Sequence, residues 1–253
     1  MFAEERQNEI VKLVNRNGSV RVKDLSEQFQ VTEDSIRKDL TLLEKKGLLR
    51  KMYGGAMQAR INTRDLDVSQ RRDKNTEAKR KIAEKAMGLI KDGDMVFLDV
   101  STANLELARL LVHSGMHVTV ATNMVDILLE FTAPTSVKFI FIGGCLSSGR
   151  DYFVGAYTNK LIAEFRYDLA FLSNVGVDLF ENSVFTYMAD DGLAKDTILN
   201  ASRKSYLLLE TRKLSMDGTY KYASIDRFSG VVMEKELPAE LLDQAKEYQV
   251  EWI

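Results

Sequence analysis

Two cations, Arg37 and Lys38, lie between a hydroxyl at Ser35 and another at Thr41. On a helix, such donors can bond base edges and phosphates in a DNA major groove. A second basic pair, Arg50-Lys51, runs into the turn Tyr53-Gly54-Gly55-Ala56. It suits phosphates flanking that groove. A different chemistry gathers further along. Asp99-Val100-Ser101-Thr102-Ala103-Asn104, Thr122-Asn123, Gly143-Gly144, Gly176-Val177-Asp178, Lys195 and Glu210-Thr211-Arg212-Lys213 mix small, hydroxyl, acidic and cationic residues. Together they would suit an anionic polyol. Backbone N–H groups and a lysine would take a phosphate, and Asp99, Asn123 and Asp178 would take hydroxyls. Each lysine alone is more often a solvated surface residue, and Ser101-Thr102 alone is better explained as a helix cap.

The first set needs a helix and a hairpin. Thr32 is a good N-cap, with Glu33 and Asp34 in the first turn, where the helix dipole favours negative charge. Ile36, Leu40 and Leu43 recur at helical spacing as the buried face, which leaves Ser35, Arg37, Lys38 and Thr41 largely off it. Gly47 is the expected C-cap. Upstream, Ile10 and Val14 mark a helix across 4–17, ended by Asn17-Gly18. Val22, Leu25 and Phe29 mark a second helix, and Gln30-Val31 turns into the third. Three helices and a basic wing predict a winged helix-turn-helix with candidate DNA contacts at Thr32, Ser35, Arg37, Lys38, Thr41, Arg50 and Lys51. A three-helix packing module with no DNA role has the same periodicity. The exposed cations weigh against it.

The second set needs the ends of buried strands. From residue 76 the pattern alternates. Helices are expected over 76–90, 103–113, 124–131, 188–202 and 238–247. Strands are expected over 95–98, 118–121, 137–142, 169–172, 206–209 and 231–233. Short continuous apolar runs such as Met95-Val96-Phe97-Leu98 are typical of strands covered on both faces. Alternation of this kind predicts a mainly parallel sheet between helices, with ligands at the carboxyl ends of its strands. Tyr248 and Trp252 would finish the core with a last strand or line a subunit interface. The expected organisation is a DNA-binding domain over 1–57, a charged linker over 58–75 and a second domain over 76–253.

Composition agrees. The 253 residues are 45% hydrophobic, enough for a core. The net charge of −2 hides an asymmetry: residues 1–90 hold 20 Lys or Arg against 14 Asp or Glu, and residues 91–253 hold 15 against 23. A basic front and an acidic back fit a nucleic-acid binder joined to a domain with another job. A single cysteine, Cys145, fits a reducing compartment. With no apolar leader and no membrane-length stretch, a cytoplasmic protein is expected, without membrane association. His113 and His117 are too isolated to ligate a metal, and no cofactor is expected.

The stretch Val31-Thr32-Glu33-Asp34-Ser35-Ile36-Arg37-Lys38-Asp39-Leu40, continuing to Gly54-Gly55-Ala56, resembles the N-terminal signature of the DeoR family of bacterial transcriptional regulators. Arg6 matches its early helix-one arginine. The resemblance extends to the second half. That family's effector domain shares its fold with ribose-5-phosphate isomerase and is thought to bind phosphorylated sugars. The family's Asp-Ser-Gly-Thr-Thr phosphate loop stands here as Asp99 to Ala103, with Ser101 for the glycine and Ala103 for the second threonine. Thr122-Asn123, Gly143-Gly144, Asp168, Gly176, Asp178 and Lys195 match. Asp191 stands for a glutamate, and Glu210 to Lys213 for Asp-x-Ser-Lys. The resemblance implies effector contacts at Asp99, Ser101, Thr102, Asn123, Gly143, Asp178, Lys195, Glu210 and Lys213. It also implies a regulator, read here as a repressor of a carbohydrate-utilisation operon, acting as a homodimer or homotetramer on operator DNA. Two other readings stand beside it. One is a sugar-phosphate isomerase using Asp99, Asp178 or Glu210 as its base. The other is a regulator whose second domain has lost its small molecule.

Overall fold

A computed structural model of the chain divides into an N-terminal and a C-terminal compact unit. The structure describes residues 3–17, 19–58, 74–216 and 218–253. Most of the expected linker over 58–75 therefore lies outside the described residues.

In the N-terminal unit, α1 (Ala3–Asn17), α2 (Val22–Phe29) and α3 (Glu33–Lys45) bury Ile10, Val14, Val22, Leu25, Ile36, Leu40 and Leu43 in one cluster with Leu49 and Ala56. The α2–α3 turn closes locally. Gln30 adopts φ 53°, the Val31 N–H donates to Ser26 O and the Ser26 hydroxyl donates to Val31 O. Thr32 caps α3 by accepting the Ser35 N–H, as expected. At the other end the cap is Lys46, and Gly47 is the residue after it, at φ 70°. Gly47 N donates to Glu44 O and Leu48 N to Leu43 O, the paired bonds of a Schellman ending.

The wing is β2 (Leu49–Met52) and β3 (Gly55–Gln58), joined by Tyr53-Gly54. A third strand, β1 (Ser19–Arg21), pairs antiparallel with β3 and was not anticipated. A Cβ on Gly55 would lie 2.1 Å from the Val20 carbonyl oxygen, so this close pairing requires glycine.

In the C-terminal unit, α4 (Thr76–Met87) precedes a sheet built from β4 (Met95–Leu98), β5 (Thr119–Thr122), β6 (Lys138–Phe141), β9 (Tyr167–Leu172), β12 (Ser202–Leu209), β14 (Gly230–Met233) and β15 (Glu251–Trp252). All seven pair in parallel, in the order β15-β14-β12-β9-β4-β5-β6. The covering helices are α5 (Thr102–Val112), α6 (Val125–Glu130), α7 (Ala156–Ala163), α8 (Ala189–Ala201) and α9 (Leu242–Lys246). Phe97 packs into one core cluster, and Val96 and Leu98 into the other, so β4 is buried on both faces. Trp252 lies in the last strand and packs on the first cluster.

The expected helix over 238–247 is a 3-10 turn, Ala239–Leu241, followed by the short α9. The hairpin β7 (Cys145–Leu146) and β8 (Phe153–Val154), helix α7 and a small antiparallel sheet were not foreseen. That sheet comprises β10 (Gly176–Asp178), β11 (Ser183–Thr186) and β13 (Tyr220–Ala223). No helix among the described residues is long and apolar enough to cross a membrane.

Strand order matters for the site. β4 comes first; β5 and β6 add on one side of it, and β9, β12, β14 and β15 on the other. The direction reverses between β4 and β9, where open parallel sheets place ligands beyond the strand ends.

Candidate DNA-reading helix and effector site

The surface of α3 is polar and bears an open groove lined by Asp34, Arg37, Lys38, Thr41, Leu42 and Lys45. Arg37 is exposed but not idle. It donates to Glu33 at 2.6 Å and to Asp34 at 3.1 Å. The Lys38 ammonium has no hydrogen bond or ion pair among the described residues. Ser35 and Thr32 share a hydroxyl contact of 3.0 Å at the helix start. Thr41 donates to Arg37 O and accepts from Lys51 Nζ at 2.9 Å. The Lys51 N–H in turn donates to Glu44 at 2.8 Å, so the wing is tied to α3 at two points. Arg50 lies exposed on the same strand.

Asp39, inside the signature, serves the core instead. It is 5% exposed and accepts from Arg6 at 2.6 Å and from Gln7 at 2.8 Å. Asp39 was legible as part of the signature but not as a core contact, and Glu44 and Gln7 were not singled out. Only the helical spacing that puts Asp39 beside Leu40 and Leu43 hinted at its burial.

At the switch point the residues after β4 and β9 interlock. Asp99 Oδ2 accepts from the Ser173 N–H and hydroxyl, each at 2.8 Å, and from Lys195 Nζ at 2.5 Å. Lys195 also meets Asp191 at 3.4 Å and the Ser173 hydroxyl at 3.1 Å. Thr186 donates to Asp191, and Tyr222 closes the cluster through its hydroxyl to Ser173 O. Burial opposes charge on Lys195, but Asp191 and Asp99 outweigh it and raise its pKa. Burial, aided by Asp99, pushes the Asp191 carboxyl up. Lys195 is thus an ammonium already committed to carboxylates.

A second group forms at the end of β12. Glu210 accepts from Asn75, at 2.9 Å, and from Arg212, and lies 3.7 Å from Lys213. Burial works against its charge, yet Arg212, Lys213 and Asn75 prevail and hold its pKa at about 2. Lys213 Nζ donates to Asn174 O at 2.7 Å, which joins this group to the residue after Ser173.

Ser101 caps α5 by accepting the Asn104 N–H. The first two amides of the helix, Thr102 and Ala103, have no acceptor among the described residues. Asn123 follows β5 and donates to Phe153 O, leaving its buried Oδ1 without a partner. Gly143 O accepts from Thr158. Asp178 bonds the Phe180 and Glu181 N–H groups of its own hairpin and makes no bond to Asp99 or Lys195. Ser173, Tyr222 and Asn75 were missed by the sequence reading, and none lies within a helical turn of the acid or lysine it serves; Arg212 was named in the set but not as the partner of Glu210, two residues before it.

Comparison with known proteins bears on both halves. Residues 6–61 match the DeoR-like helix-turn-helix domain, and residues 74–235 match the DeoR C-terminal sensor domain. The chain belongs to the DeoR family. Among its DeoR relatives is the lactose phosphotransferase system repressor of Staphylococcus aureus, 30% identical over 93% of this chain and 94% of that one. Another is a putative aga operon transcriptional repressor of Escherichia coli O157:H7, 28% identical over 98% and 93%. Ribose 5-phosphate isomerase A from Methanocaldococcus jannaschii aligns with a TM-score of 0.41 at 13% identity, over 55% of this chain and 54% of that structure. Membership of the DeoR family makes the chain a DNA-binding transcriptional regulator rather than an enzyme. Of the three acids considered as a base, Glu210 has its pKa held at about 2, Asp99 Oδ2 already accepts from three donors, and Asp178 accepts from its own hairpin.

Proposed function

We propose that the chain represses a carbohydrate-utilisation operon and that a phosphorylated sugar at the β4–β9 switch point changes its affinity for the operator. The reading rests on one observation: α5 starts at the switch point with two unaccepted amides, at Thr102 and Ala103, a helix end suited to an anion. The repressor names of its relatives support it. Lys213 is the cation for the phosphate, because its side chain is 17% exposed where that of Lys195, between Asp99 and Asp191, is 2% exposed. Asp99, Ser101, Asn123, Gly143, Asp178 and Glu210 complete the candidate set, with Asn123 Oδ1 an open acceptor for a hydroxyl.

On the DNA side, Arg37 reads a base edge, with Ser35 and Thr41 assisting and Thr32 fixing the helix start. Lys38, Arg50 and Lys51 meet phosphates. Two such helices in a homodimer or homotetramer read half-sites about 10–10.5 bp apart, or a multiple of that. Coupling requires the sugar phosphate to prefer one of two states of the protein. The test is a thermal-shift series with hexose and pentose phosphates and the matching unphosphorylated sugars, followed by DNA binding with each ligand that shifts the melt. Stabilisation by phosphorylated sugars alone, with altered DNA affinity, is expected. Shifts by none of them would leave a second domain that serves only assembly.

A further inference from the structure

The ion pairs on the recognition helix have a consequence for specificity. Arg37 Nη2 lies 2.6 Å from Glu33 Oε2, and Nη1 lies 3.1 Å from Asp34 Oδ1. Both carboxylates stand in the first turn of α3, one turn before the arginine, and the Asp34 side chain is 82% exposed. The arrangement faces solvent, and Asp34 and Arg37 line the same groove as Lys38 and Thr41. It is absent from the contacts that hold the three-helix core, which run through Arg6, Gln7 and Asp39.

We infer that Glu33 and Asp34 gate Arg37, converting it from a general phosphate binder into a selective base reader. This inference rests on the reading of Arg37 as a base contact. A guanidinium leaving two carboxylates must recover two charge-assisted bonds. A guanine edge, with O6 and N7 side by side, offers a bidentate replacement. A phosphate on non-cognate DNA gives sequence-independent attraction, but against it stand two acids that then lose their cation next to the DNA polyanion. On such DNA the cheaper state keeps Arg37 on Glu33 and Asp34, and the trio presents a net negative charge. Lys38, with no acid partner, carries the non-specific term in both cases. The acids therefore lower affinity for random DNA more than for the operator. They act as positioning residues, through Arg37.

The test uses the full chain and two duplexes: a site recovered by the wild type from a random-sequence pool, and a scramble of equal composition. Binding is followed by anisotropy across a salt series. The Glu33→Gln/Asp34→Asn variant should bind the scramble roughly tenfold more tightly and the recovered site nearly unchanged, with the salt slope on the scramble steeper by about one. In an Arg37→Ala background the same two substitutions should leave the ratio of affinities where Arg37→Ala alone puts it. An unchanged ratio in the double variant, with Arg37→Ala still lowering it, overturns the gate and leaves Arg37 as reader. An unchanged ratio in Arg37→Ala itself overturns the base-reading role beneath it. Equal tightening with and without Arg37 overturns the gate in favour of simple charge removal. If the double variant does not fold, Glu33→Gln and Asp34→Asn singly answer the same question, each checked by its melting temperature.

Discussion

Arg6 Nε lies 2.6 Å from Asp39 Oδ2, a nearly buried ion pair that ties the first helix to the recognition helix 33 residues later in the chain. Gln7 fills the other carboxylate oxygen at 2.8 Å. A residue in the middle of the DNA-reading signature thus holds the helix in place while its neighbours Arg37 and Lys38 face outward. Asp39→Ala leaves a buried guanidinium and amide unpaired. We expect a loss of about 3 kcal/mol in unfolding free energy of the N-terminal unit, read by urea denaturation. A cost below about 0.5 kcal/mol would assign the pair no structural weight.

Glu44 controls the wing by accepting the Lys51 N–H. Glu44→Ala should weaken binding to every duplex while leaving the salt slope unchanged, because no cation is removed. Lys51→Ala, by contrast, should lower the slope by about one. Salt titrations of the two variants separate a positioning residue from a phosphate contact. Equal slopes in both would sink the distinction.

Thr102→Glu sets a carboxylate at the start of α5, where an acid suits the helix dipole but repels an anionic ligand. The variant should fold and bind DNA as the wild type does, yet lose heat of binding with any sugar phosphate that the wild type takes up. Equal calorimetric affinity in both proteins would remove the phosphate from this helix end.

Glu210 should make stability depend on pH. Its pKa of about 2 lies below that of an unfolded glutamate, so the unfolded state takes up the proton first. The stabilisation is present above the unfolded pKa and drains away as pH falls toward 2. Its size is about 3 kcal/mol. Glu210→Gln should be less stable at neutral pH and should show a shallower fall between pH 5 and 2, about pH 4.5 being where the slope begins. Denaturant unfolding at stepped pH is the measurement. Parallel curves for the two proteins would show that Arg212, Lys213 and Asn75 do not hold that charge.

The sequence by itself determined the features that repeat locally. Ile36, Leu40 and Leu43 fall on one side of α3 because a helix returns every 3.6 residues, and Thr32 declares its start. Met95–Leu98 announces a strand because both of its faces are buried, and β4, β5, β9, β12 and β14 follow the same rule. The tertiary structure alone decided partnerships across long separations. Lys195 was legible as a cation, but its commitment to Asp99, 96 residues away, exists only because the fold brings α8 beside the residue that follows β4. Asn75 reaches Glu210 across 135 residues, and Asp178 turns inward to its own hairpin. Strands as short as β1, β7 and β8 are too brief to show a period, and pairing with distant main chain is what makes them strands. Local pattern fixes which side chains share a face; which face meets which is settled only when the strands pair and the helices pack on them.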